Sequence, residues 1–166
     1  SRYDFWRKIV TKEHELFPEV ELRHQLVDSG NALLFNPKML HGVIACGNEH
    51  GDILSDGAAA ALGSMGMMCS SAINPDTGAA MFESGAGTAP ELAGAGTANP
   101  IGRILTGALL LRHIGAHNGA TAIEKAVRQA LSDGFRTNDL VSGPQDLERF
   151  NVVGTTEMSD AIIARL

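Results

Sequence analysis

The sequence is short of cysteine, of aromatic rings and of clustered basic charge, and each shortage removes a class of function. Cys46 and Cys69 are the only two cysteines in 166 residues, too few and too far apart for a disulfide framework or a CxxC metal site. Set in apolar stretches, they read as core thiols of a reducing cytoplasm. A single Trp and a single Tyr exclude an aromatic platform for stacking single-stranded nucleic acid. The 13 Lys and Arg are scattered singly and outnumbered by 19 Asp and Glu, for a net charge of -6; nucleic-acid surfaces need clustered basic groups to displace counterions. No apolar run reaches transmembrane length, and the start lacks the charged-then-apolar order of a signal peptide, so the expectation is a cytoplasmic chain without membrane or nucleic-acid partners. The chain opens on Ser1 rather than Met and enters a helical pattern almost at once, which suggests a fragment of a longer protein.

What is present reads as a globular α/β domain. Apolar residues make up 44% and charged residues 19%, enough to build a core at this length. Phe5, Trp6, Ile9 and Val10 recur at helical spacing and predict a helix over 4–16, stopped by Pro18. The alternation in Glu19–Val27 predicts a strand with one wet face, followed by a short helix at 29–35 closed by Asn36-Pro37 and a buried strand at 41–46. An Ala-rich helix is expected over 51–63. Two extended segments, 65–73 and 79–82, flank an Asn-Pro-Asp-Thr-Gly turn at 74–78. Residues 83–97 form a Gly-rich loop. Asn99 as cap and Pro100 in the first turn open a further helix. Its wide apolar arc of Ile101, Ile104, Leu105, Ala108 and Leu109 to Leu111 suits cover on two sides, by the sheet and by a second subunit. Another helix follows over 120–131 with Ile123, Val127, Ala130 and Leu131 inward, and a last one over 156–166. Together these predict one domain, 1–166, with a small mixed sheet of four or five strands under packed helices.

Two stretches could carry chemistry. Asp52 and Asp56 are four residues apart, so on a helix they project from one face, one turn apart. Like charges there are unfavourable unless offset, and a divalent cation such as Mg²⁺ or Mn²⁺ takes carboxylate oxygens readily. A solvated acidic helix start is the commoner origin of such spacing, and spacing alone does not decide between them. The second stretch is FESGAGTAPELAGAGTANP, residues 82–100. Gly85-Ala86-Gly87 and Gly94-Ala95-Gly96 both fail the dinucleotide fingerprint, because Pro90 and Asn99 stand where its third glycine belongs. What remains is either a structural turn around Pro90 or a small-residue loop that a flat ligand can approach, with Glu91 available to a ribose. His113 and His117 have helical metal spacing, but Gly115 lies between them and no third ligand is evident. No G-x-S-x-G surrounds any serine.

The tracts NEHGDILSDGAAAALGSMGM and FESGAGTAPELAGAGTANPIGRILTGALLLRH, flanked by FWRKIV, HQLVD, NPK and the tail GTTEMSDAIIARL, resemble the isocitrate and isopropylmalate dehydrogenases, β-decarboxylating enzymes, most closely their isopropylmalate branch. The resemblance runs along essentially the whole chain and its fixed order is specific. It implies the C-terminal half of that fold. Asp52 and Asp56 match the family's metal-binding aspartates for Mg²⁺ or Mn²⁺, and Asp28 matches a third carboxylate that the other subunit of a homodimer contributes. Gly87, Thr88, Ala89 and Pro90 match the loop that holds the adenosine half of the cofactor, and Asn99 matches an adenine contact. Glu91 stands where an acid suits the free ribose hydroxyls of NAD, and no basic group stands nearby for the extra phosphate of NADP.

The departures also carry expectations. Many relatives have Pro-Val-His where this chain has Ser84-Gly85-Ala86. Family members extend further at the N-terminus, where their substrate-binding arginines and catalytic tyrosine and lysine lie. No catalytic residue is therefore assigned here; Tyr3, Lys8 and Lys12 match none of them. The implied function is part of an NAD- and metal-dependent oxidative decarboxylase of a 2-hydroxy acid, 3-isopropylmalate (a leucine precursor) rather than isocitrate, inactive until the rest is supplied. The rival expectation is a non-catalytic nucleotide-binding or dimerisation module of the same descent.

Overall fold

The computed structural model describes residues 2–36 and 38–166, and the chain divides into two compact units, Ser1–Leu54 and Ser55–Leu166. The first unit is helical. Helix α1 (Arg2–His14) is followed by α2 (Val27–Leu33) and by the start of α3 (Asn48–Leu62), within which the division falls. The helical spacing of Phe5, Trp6 and Ile9 is realised, yet α1 buries no residue. Gly30 is the one buried residue among the described positions before 55.

The two strands expected in this unit are not formed. Residues 21–26 and 43–47 adopt no regular element. Alternation prescribes a face, but a strand exists only when a neighbour completes its hydrogen-bond ladder, and every described strand lies at residue 70 or beyond. Helix α2 starts two residues earlier than expected, which draws Asp28 into its first turn. The expected stop at Asn36-Pro37 falls in part outside the described residues, since Pro37 is not among them.

The second unit holds the core. Strands β1 (Ser70–Ile73) and β2 (Ala80–Glu83) pair antiparallel, Ser70 opposite Glu83 and Ile73 opposite Ala80. The turn between them is the expected one: the Asn74 side-chain oxygen accepts the Asp76 and Thr77 N–H groups at 2.9 and 3.1 Å. Met65–Met67, expected as extended chain, forms a 3-10 turn instead, because the Ser64 hydroxyl accepts the Gly66 N–H at 2.8 Å and caps it. Strands β3 (Phe135–Arg136) and β4 (Asn151–Val152) form a short parallel pair. The four strands thus make two separate ladders rather than one sheet.

Helix α4 (Ile101–His113) packs on α5 (His117–Ser132), on β2 and on the 65–67 turn, and α5 packs on the last helix, α7 (Thr155–Ile163). A short helix, α6 (Pro144–Arg149), precedes β4. The core is Ile101, Ala126, Val127, Ala130, Met158 and Ile162, flanked by Met67, Leu105, Phe135, Leu140 and Val153. Val127 and Ala130 point inward as their periodicity requires, while Ile123 and Leu131 are half-buried. A missing side chain lets α4 approach the 65–67 turn closely. A Cβ on Gly102 would lie 2.5 Å from the Met68 carbonyl oxygen and 2.7 Å from that of Gly66, so only glycine lets α4 rest on that backbone. The Thr106 hydroxyl, buried in α4, has the Gly102 carbonyl of its own helix at 2.8 Å and the Glu83 carbonyl at the end of β2 at 3.1 Å as acceptors for its one hydrogen.

Both cysteines, expected in the core, are exposed. Cys46 sits in the irregular 43–47 stretch, and Cys69 immediately precedes a strand whose four residues are all exposed. Partial desolvation still pushes the Cys69 thiol above its ordinary value. Among the described residues no helix is long and apolar enough to cross a membrane.

Candidate functional site

Helix α3 begins at Asn48, three residues earlier than its sequence suggests, and this changes the meaning of its acids. Only Glu49 lies in the first turn. Asp52 and Asp56 fall in the second and third turns, where the helix-end field has largely decayed. The dipole therefore gives them little reason to be there. Both are exposed on α3, Asp52 in the first unit and Asp56 in the second. Asp28 is exposed in the first turn of α2, and its Oδ1 accepts the Ser29 N–H at 2.8 Å. Among the described residues no three His, Cys, Asp or Glu side chains come together as a metal-holding group. Asp52 and Asp56 supply hard oxygen donors that suit Mg²⁺ or Mn²⁺; a full shell needs ligands from elsewhere.

The histidine pair is separated by the fold. His113 ends α4, His117 begins α5, and Gly115 turns the chain between them at φ 83°. The His113 ring donates from Nε2 to the Gly78 carbonyl at 2.9 Å, which fastens the β1–β2 turn to α4.

The small-residue loop is ordered by tight turns. Gly87 has φ 67°, and Ala89 has φ 37°, the one non-glycine with positive φ among the described residues. A left-handed alanine costs on the order of 1–2 kcal/mol. The next three residues hold it in place: Pro90–Leu92 is a 3-10 turn in which the Leu92 N–H reaches the Ala89 carbonyl at 2.9 Å. Gly87, Thr88, Pro90 and Glu91 are exposed and Ala89 is half-buried, so the loop offers backbone and one carboxylate to solvent.

Asn99 is the best anchored of the expected site residues. Its Oδ1 accepts the N–H of Ile101, the first residue of α4, at 2.9 Å, while the cap position itself falls on Pro100, one residue later than the sequence places it. Its Nδ2 donates to Asp139 Oδ2 at 3.1 Å, and the same oxygen accepts the Ser64 hydroxyl. The stretch before Asn99 is tied down from α7: the Thr155 N–H donates to the Gly96 carbonyl at 2.8 Å, and the Thr155 hydroxyl to the Ala98 carbonyl at 2.6 Å. Ser64, Asp139 and Thr155 were not legible as site residues. Thr155 lies within the resembling tail, but nothing in one sequence couples Asp139 to Asn99, forty residues earlier. Two residues before Asp139 in sequence, the Thr137 hydroxyl is fully buried without a hydrogen-bond partner.

Known proteins resemble the chain in sequence and in fold. A 3-isopropylmalate dehydrogenase of Pectobacterium atrosepticum is 44% identical over 158 residues, 95% of this chain and 42% of that protein. One of Ralstonia nicotianae is 40% identical over 165 residues, 99% of this chain and 45% of that protein. The chain thus spans less than half the length of these relatives. Among solved structures, an isocitrate dehydrogenase of Methylococcus capsulatus superposes with a TM-score of 0.84 at 34% identity, covering 95% of this chain and 44% of that one. A beta-decarboxylating dehydrogenase of Thermococcus kodakarensis gives 0.77 at 38% identity, covering 98% of this chain and 45% of that one. The expected α/β class and dehydrogenase-like fold are both borne out. With a family model described as isocitrate/isopropylmalate dehydrogenase matching residues 1–162, the chain belongs to that family.

Proposed function

We propose that this chain is the NAD- and metal-binding portion of a cytoplasmic, homodimeric oxidative decarboxylase whose substrate is a 2-hydroxy acid of the 3-isopropylmalate kind. The observation that carries the reading is the identity of 40% and above, along nearly the whole chain, to relatives named 3-isopropylmalate dehydrogenase. The local geometry supports it. The loop at Gly87–Glu91 exposes backbone to a flat ligand, with Glu91 positioned in sequence to accept hydrogen bonds from ribose hydroxyls, and Asn99 faces the same duty for adenine from a braced position. In this reading Asp52 and Asp56 hold the cation, and Asp28 serves the site of a second copy of the chain. A bound cation supplies Lewis acidity at the substrate's hydroxyl and carboxylate oxygens, and NAD accepts the hydride. The chain's own share is binding and orientation; no residue in it is given proton transfer.

The test is calorimetric titration of the chain with NAD, with and without Mn²⁺, beside a variant carrying Asp52→Asn and Asp56→Asn. The expected result is NAD binding by both proteins and Mn²⁺ binding lost in the variant. Absence of binding of either ligand to the parent chain would overturn the reading in favour of a non-catalytic module. NADH formation from 3-isopropylmalate by this chain alone would overturn the assignment of proton transfer to residues outside it.

A further inference from the structure

We propose that Asp139 is a positioning residue that fixes the amide of Asn99 for an adenosine-bearing ligand, an inference that rests on the cofactor reading of the 87–99 stretch. An asparagine side chain has a donor end and an acceptor end of nearly equal shape, and only its partners decide which way it faces. Here both ends are decided. Oδ1 accepts the Ile101 N–H at 2.9 Å, and Nδ2 donates to Asp139 Oδ2 at 3.1 Å. A carboxylate can only accept, so Asp139 enforces one orientation and leaves the second Nδ2 hydrogen for an acceptor on a ligand, such as a purine ring nitrogen.

Asp139 is itself held. Its Oδ2 also accepts the Ser64 hydroxyl, whose oxygen accepts the Gly66 N–H at 2.8 Å, so the carboxylate joins three segments far apart in sequence. There is no slack in this arrangement. A Cβ placed on Gly66 would lie 2.7 Å from Asn99 Cβ and 3.1 Å from both Asp139 Oδ2 and Ser64 Oγ. Asp139 is exposed and Asn99 half-buried, so the braced amide lies where a ligand can reach it. The binding energy of adenosine then depends on a residue with no need to touch it, because the cost of ordering Asn99 is met before the ligand arrives.

The test compares the chain with Asp139→Ala and Asp139→Asn by titration with NAD, ADP-ribose and nicotinamide mononucleotide, with thermal melts of each ligand-free protein. Asp139→Asn keeps an oxygen able to accept from Ser64 and Asn99, so its affinity for NAD and ADP-ribose stays within about threefold of the parent. Asp139→Ala loses about tenfold for both, as expected for one charge-assisted hydrogen bond, with nicotinamide mononucleotide unaffected. Equal affinity of Asp139→Ala and parent for ADP-ribose, with or without a lower melting temperature, overturns the positioning role and leaves the cofactor reading intact. Failure of the parent chain to bind NAD or ADP-ribose overturns both.

Discussion

The two compact units contain similar apolar residues and use them differently. Ser1–Leu54 carries Phe5, Trp6, Ile9, Phe17 and Phe35, all exposed, and among its described residues encloses a single glycine. Ser55–Leu166 encloses Ile101, Val127, Met158 and Ile162 at 3% exposure or less, together with Ala108, Ala120, Ala126, Ala130 and Ala161. Aromatic bulk does not make a core. What makes one is a set of faces that meet, and in the second unit Ile101, Ala126, Val127, Ala130, Met158 and Ile162 from α4, α5 and α7 come together in one cluster. The same periodicity that places Met158 and Ile162 inside places Phe5 and Trp6 on a helix face that buries nothing.

The strongest way to break this contrast is amide hydrogen exchange. Backbone amides of α4, α5 and α7 are expected to exchange on the order of a thousandfold more slowly than those of α1 and α2, since local opening energies run from near zero at unburied elements up to the global stability. Similar protection in both regions would show that the first unit is stabilised by something other than its own burial. Truncation sharpens the point. Met158→Ala, at a fully buried site, should cost about 2–5 kcal/mol in urea denaturation, whereas Trp6→Ala, at 45% exposure, should cost less than about 1 kcal/mol; comparable losses would contradict the burial difference.

Acid supplies the smallest effect, and it too separates the units. In the second, the Arg112 guanidinium grips Glu124 through two bonds of 3.0 and 2.7 Å and holds its carboxyl below the usual range. Arg165, assisted by Gln129, does the same to Asp133. A carboxyl whose folded pKa is depressed stabilises the fold above its unfolded pKa, about 4.3 for Glu and 3.9 for Asp, and that stability is lost as pH falls through the folded value. The urea midpoint of the α4–α5 region should therefore be flat from neutral pH down to about 5 and decline below about 4. The double variant Glu124→Gln, Asp133→Asn should flatten that decline. Water screens both pairs, so the change is modest. An unchanged acid profile in the variant would assign the decline to other carboxylates.

Much of the second unit was legible because its signals are local. Asn74 and Gly78 wrote the hairpin turn, Asn99 wrote the start of α4, and Val127 and Ala130 wrote the buried face of α5. The alternation at 19–27 and the apolar run at 41–46 form no strand, since such patterns describe a strand's faces but say nothing of whether a neighbour exists to pair with it. Asp52 and Asp56 stand out by their spacing, yet their placement beyond the first turn depends on a helix start at Asn48 that Asn48-Glu49 alone does not announce.

The sequence by itself determined the family, the order of helices around a hairpin, and the residues to suspect: Asp28, Asp52 and Asp56, the loop from Gly87 to Glu91, and Asn99. Those conclusions need only residue identity, order and short-range spacing. Only the tertiary structure decided that β3 and β4 form a separate parallel pair, that both cysteines face solvent, and that Ser64, Asp139 and Thr155 brace the loop and its asparagine. Contacts between segments distant in sequence decide such features, and a single atom can matter to them: the missing Cβ of Gly102 lets α4 rest on the Gly66 and Met68 carbonyls.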